Sequence, residues 1–135
     1  AQNVSDTAAP FIATLVDARR DLVYACLYQV LPGGLKRVCP YLLTGLDDFL
    51  PQLKGETVFV GDALPLYQDR IEAYAGKERG GSPALMCHWA PERMWFPRAH
   101  KMLPLVSGRL LRGETDDPDT LVPLYLYPEH CQVRR

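Results

Sequence analysis

No apolar run in this 135-residue chain approaches the roughly 20 residues that span a bilayer. The N-terminus also lacks the basic and apolar regions of a secretory signal, so a cytoplasmic location is expected. The four cysteines, Cys26, Cys39, Cys87 and Cys131, contain no close pair of the kind that makes a zinc knuckle or a redox motif. They read most simply as buried or half-buried reduced thiols. His88, His100 and His130 are the only histidines, and no HExxH spacing connects them, so a zinc hydrolase has no local signature. A Gly-x-Ser-x-Gly nucleophile elbow is missing as well, and Gly80-Gly81-Ser82-Pro83 breaks that pattern. Charge of one sign is not in excess: 15 Lys and Arg face 16 Asp and Glu, for a net charge of −1, which gives no electrostatic reason for direct nucleic-acid binding.

What is present suits one α/β domain, since a chain of this length buries enough surface to fold without a metal or a disulfide. A start at Ala1, with polar Gln2-Asn3 leading toward a strand, reads as a fragment of something longer.

Phe11 to Val16 is a short apolar run with β-branched members and predicts a buried first strand, ending at the polar turn Asp17 to Asp21. Val23 to Leu31 predicts a second strand. Pro32-Gly33-Gly34 then turns the chain into a third strand over Leu35 to Leu43. Thr44 is placed to cap a helix in which Leu46, Phe49, Leu50 and Leu53 share a face, while Pro51 predicts that this helix is kinked or short and Gly55 ends it. Thr57 to Val60 reads as a strand running into Gly61-Asp62, where Asp62 is placed to cap a helix carrying Leu64, Tyr67, Ile71 and Tyr74, with Gly76 as a left-handed stop.

A charged, glycine-rich loop from Lys77 to Pro83 precedes a short strand at Ala84 to Cys87. From Pro97 a helical pattern runs to Gly113, with Ala99, Met102, Leu103, Val106 and Leu110 in one stripe, Arg109 and Arg112 at its C-terminal dipole, and Pro104 bending it or delaying its start. After an acidic loop, Leu121 to Tyr127 is expected to pack back as an apolar tail.

The resulting order, βββαβαβα, has antiparallel hairpins first and crossover helices afterwards, in a mixed sheet. It is the repeating half of the actin-like ATPase, ribonuclease H-like architecture, in which two such halves clamp a nucleotide; this is a fold analogy.

Within that frame Val16-Asp17-Ala18-Arg19-Arg20-Asp21-Leu22-Val23-Tyr24, Val60-Gly61-Asp62 and Pro123-Leu124-Tyr125-Leu126 resemble the TsaB (YeaZ) family of tRNA threonylcarbamoyladenosine biosynthesis scaffolds, over about Ala1 to Tyr127. The resemblance implies the C-terminal half of such a protein: a pseudo-enzyme scaffold without a cofactor, from a group that also carries the label M22 glycoprotease. It implies TsaD-like and TsaE-like partners, support of threonylcarbamoyl transfer to adenosine 37 of tRNA, and homodimerisation through the absent N-terminal half. Two departures stand out. Asp21 replaces the glycine that usually follows the double arginine, which puts a tight turn in doubt, and Tyr125-Leu126-Tyr127 replaces Tyr-Leu-Arg.

In active members of this fold the first turn holds phosphate on backbone N–H groups, which demands small residues. Here Asp17, Arg19, Arg20, Gly61 and Asp62 form a degenerate version of that site or a contact for a partner. Trp89, Trp95 and Phe96, with Met86 and Met94 nearby, form an aromatic cluster suited either to an interface or to the core. Asp116, Asp117 and Asp119 are best read as a solvated loop, and metal binding by Cys87-His88 with His130-Cys131 would need long-range convergence. The rival reading is half of a nucleotide-dependent phosphotransferase or a glycoprotease-like hydrolase, completed by the missing half.

Overall fold

A computed structural model describes residues 1–53, 55–77 and 84–126. They fall into two compact units, Ala1–Pro97 and a second that begins at Arg98.

The first unit is built on one mixed sheet. Strand β1 (Phe11–Asp17) pairs antiparallel with β2 (Leu22–Leu31), from Phe11 opposite Gln29 to Asp17 opposite Val23. Leu31 and Gly34 close a two-residue hairpin into β3 (Gly34–Arg37), where Pro32 presets the first turn dihedral and Gly33 supplies the positive φ, 90°, that a type II turn requires next. The chain then bulges and re-enters the sheet as β4 (Leu42–Gly45), also antiparallel to β2.

The third strand expected over Leu35 to Leu43 is therefore two strands. Pro40 lacks the N–H needed to continue the ladder, and the pairing register against β2 shifts by two residues between β3 and β4. Because side chains alternate with period two, an even shift keeps the same faces in and out on both sides of the bulge.

Helix α1 (Leu46–Phe49) is a single turn followed by a 3-10 turn over Leu50–Gln52 that contains Pro51, the short helix expected. Its apolar face is buried as the spacing required, with Leu46, Phe49, Leu50 and Leu53 all at 2 % exposure or less. Thr44 does not cap it; that residue lies in β4, and Gly45 precedes the helix without a side-chain cap.

Strand β5 (Glu56–Val60) lies parallel to β1, and α2 (Leu64–Ala75) leads to β6 (Met86–Trp89), parallel to β5. Gly76 ends α2 with an ordinary φ of −75°, so it is not the left-handed stop expected. The neighbour order is β3-β2-β1-β5-β6, with β4 extending beside β2. The chain runs outward one way from β1 through β2 and the other way from β5 through β6, so the order of strands reverses between β1 and β5. The observed order of elements is the one expected, with the third strand in two pieces.

Two apolar layers hold this sheet. On one face Ala13, Leu15, Val23, Ala25, Leu27 and Phe59 pack under Leu46, Phe49, Leu64 and Ile71 of the helices. On the other, Ile12, Val58 and Val60 meet Val4, Ala9 and Ala90.

In the second unit, α3 (Ala99–Leu111) continues through Pro104 without interruption, and Gly113, two residues past its end, has a φ of 72°. None of its residues is buried, and Met102, Leu103, Val106 and Leu110 are all more than half exposed. Its apolar stripe is thus uncovered. Leu121, Val122, Leu124 and Tyr125 are also exposed, and Tyr127, the end of the apolar tail, lies outside the described residues. Among the described residues no helix is long and apolar enough to cross a membrane.

Candidate functional site

In open α/β sheets, ligands bind beyond the carboxyl ends of the strands at the point where strand order reverses. Here that point lies between β1 and β5, and the residues singled out from the sequence gather there. Asp17 ends β1, Arg19 and Arg20 occupy the turn to β2, and Gly61 and Asp62 follow β5.

The turn is tight despite having no glycine. Arg19, Arg20 and Asp21 have φ values of 65°, 54° and 58°, and positive φ at both Arg20 and Asp21 is the pattern of a type I′ hairpin turn. Each non-glycine residue in this region costs about 1–2 kcal/mol. Local hydrogen bonds offset part of that: Leu22 N–H donates to the Arg19 carbonyl at 3.0 Å and Ala18 N–H to the Leu22 carbonyl at 3.0 Å. The doubt raised by Asp21 is thereby resolved in favour of a tight turn made from unfavourable residues.

Two carboxylates brace it. Asp17 Oδ1 accepts the Arg19 N–H at 2.9 Å, and Asp62 Oδ1 accepts the Asp17 N–H at 3.0 Å. Asp62 is consequently a strap between the β5–α2 turn and the end of β1, not the helix cap expected; Ala63 precedes α2 and carries no capping side chain. Arg19 also approaches the Asp17 carboxylate at 3.7 Å, a solvent-facing pair of little energetic weight.

Gly61 is required by close approach. Its φ is 139°, and a Cβ there would stand 1.8 Å from the Leu15 carbonyl oxygen. Ala63 N–H donates to that same oxygen at 3.3 Å, so the turn after β5 lies directly on the backbone of β1.

Sequence reasoning missed the floor of the site. Tyr67, buried on α2, reads in the sequence only as a member of an apolar stripe, yet its hydroxyl is held above the ordinary tyrosine range by burial first and then by the charges of Asp21 and Asp17. Arg70, one turn further on, stands over the Tyr67 ring at 5.6 Å and pairs with Asp47 of α1 at 2.8 Å. The i, i+3 spacing of Tyr67 and Arg70 was the available signal. Asp17, Asp21 and Asp62 put three carboxylates in or beside this turn, and the Arg19 and Arg20 side chains are both exposed.

The aromatic cluster divides. Trp89 packs on Phe59 with ring centroids 5.1 Å apart, and Trp95 donates its indole N–H to the Ala90 carbonyl at 2.7 Å while touching both apolar layers. Phe96 is 58 % exposed, and the Asn3 side-chain amide holds its carbonyl at 2.7 Å. His88 pairs with Glu56 at 3.0 Å on the β5–β6 surface, and His100 is exposed on α3. Asp116 pairs with Arg109, and Asp117 accepts the Asp119 N–H, which is how a solvated loop uses such residues. Among the described residues no group of three or more His, Cys, Asp or Glu could hold a metal ion. His130, Cys131 and Gly80-Gly81-Ser82-Pro83 lie outside the described residues.

No family model matches the chain, and no curated protein does. Solved structures do. An uncharacterised protein with similarity to peptidase YeaZ from Pseudomonas aeruginosa superposes with a TM-score of 0.62 at 19 % identity, over 93 % of this chain and 54 % of its own. YeaZ from Pseudomonas aeruginosa gives 0.64 at 20 % identity, with the same 93 % and 54 % coverage. The chain therefore spans about half the length of these proteins and has the fold of a YeaZ-like half-domain.

Proposed function

We propose that the chain is the C-terminal half of a TsaB-like scaffold and acts by binding partner proteins, not by chemistry of its own. The observation that carries this reading is the occupied turn at the strand-order reversal. The N–H groups of Asp17 and Arg19 are engaged by the carboxylates of Asp62 and Asp17, so the place where an active relative would present bare donors to phosphate presents carboxylate instead. Carboxylates there repel a phosphate anion, while the two projecting arginines remain suited to an acidic patch on a protein. The likeness to YeaZ over nearly the whole chain supports the family assignment.

In the full-length protein, TsaD-like and TsaE-like proteins are the partners, and the reaction supported is threonylcarbamoyl transfer to adenosine 37 of tRNA. Mass spectrometry of tRNA nucleosides after depletion of the parent gene tests this. Selective loss of threonylcarbamoyladenosine, with other modifications constant, is expected; an unchanged level removes the tRNA assignment and returns nucleotide-dependent catalysis to first place.

A further inference from the structure

The bulge between β3 and β4 brings two thiols together. Val38 N–H donates to the Leu27 carbonyl at 2.8 Å just past the end of β3, and the bend that follows sets Cys39 against Cys26 and Leu27 of β2.

The sulfur contacts agree. Cys39 Sγ accepts the Leu27 N–H at 3.1 Å, and Cys26 Sγ lies 3.6 Å from the Cys39 carbonyl oxygen. Both cysteines are free thiols, Cys26 buried and Cys39 half-buried. The Cys26 thiol is pushed up to about 11, mainly by burial, with the Tyr28 hydroxyl and the Arg37 charge pulling it down and the neighbouring Cys39 pushing it further up.

We propose that Cys26 and Cys39 are an oxidisable pair, which hydrogen peroxide converts to an intramolecular disulfide that pins the bulge. Cys39, the more exposed partner, is the sulfur that meets peroxide. Its thiolate attacks one peroxide oxygen, the O–O bond breaks, hydroxide leaves, and Cys39 becomes a sulfenic acid. The Leu27 N–H, already directed at this sulfur, stays available to the sulfenate. Cys26 then attacks Cys39 Sγ. The S–S bond forms as the S–O bond breaks, and the departing hydroxide takes up the Cys26 proton as water. In total two thiols and one peroxide give one disulfide and two waters, with both sulfurs oxidised and both peroxide oxygens reduced.

The test is peroxide treatment of the purified 135-residue chain, alkylation of the remaining thiols, and peptide mapping without reductant. The expected product is a Cys26–Cys39 cross-linked peptide that has lost two hydrogens and is restored by dithiothreitol, while Cys87 stays alkylatable. In Cys26→Ser the oxidation stops at Cys39, where dimedone traps a sulfenic acid. Cys39→Ser, at the half-buried position, gives a folded control with no cross-link. Recovery of Cys39 as sulfinic or sulfonic acid with Cys26 still free in the unmutated chain would overturn the proposal, as would cross-links through Cys87, through Cys131 or between chains.

Discussion

Gly61 shows how one missing methyl fixes the join between two strands. The Leu15 carbonyl oxygen occupies the place where its Cβ would be, so any side chain pushes the β5–α2 turn off β1 and breaks the Ala63 N–H bond as well. Gly61→Ala is expected to cost about 2–4 kcal/mol, because it combines a clash with a forbidden φ. Urea denaturation of the variant beside the parent chain measures this; a midpoint unchanged within error would contradict the close approach. Arg20 and Asp21 illustrate the opposite economy. They hold glycine-like dihedrals with full side chains, so the turn gives up stability in order to display charge. In the sequence, Gly61 was visible as a candidate, but its reason was not, since the obstructing atom belongs to a residue 46 positions earlier in the chain.

At the level of elements, what the sequence revealed followed how local the determining contact is. The β2–β3 hairpin, the short first helix with its buried leucines, and α2 all rest on neighbours within a few residues, and all were legible. Thr44 and Asp62 suggest the roles such residues most often take at helix ends, and each takes another role here because a strand or a distant backbone N–H claims it, while Gly76 does end α2 but with an ordinary φ. The stripe on α3 was legible as a pattern, but not its exposure, because periodicity specifies a face and not what covers it. That exposure sets the stability of the element. A helix of 13 residues with no buried side chain and an interior proline relies on intrinsic propensity, which is marginal in water at that length. Hydrogen exchange should therefore show α3 amides exchanging far faster than those of β1 and β5. Pro104→Ala should raise their protection, since an interior proline costs about 3 kcal/mol. Equal protection in α3 and β1 would mean that the helix is covered in solution.

For the whole molecule, alkaline pH offers a global measure of the burial described above. Tyr67 and Tyr28 are raised above the ordinary tyrosine value, chiefly by burial, and Cys26 is raised to about 11 for the same reason. Each group therefore keeps its proton longer in the folded chain than in the unfolded one. Their stabilising effect is complete below the unfolded values, about 8.5 for cysteine and 10 for tyrosine, and is lost as pH rises through the folded values. Unfolding midpoints in urea should thus decline between about pH 9 and pH 11, and Tyr67→Phe should make the decline shallower; a flat profile would show that these groups are solvated.

The bulge after β3 has a consequence for how such a chain can change length. Because Pro40 and Tyr41 form an even insertion, removing both would rejoin β3 to β4 with every side chain on its present face, whereas removing either one alone would turn Leu42 to Gly45 inside out. Length at this corner of the sheet can drift only in pairs, so insertions and deletions here obey a parity rule.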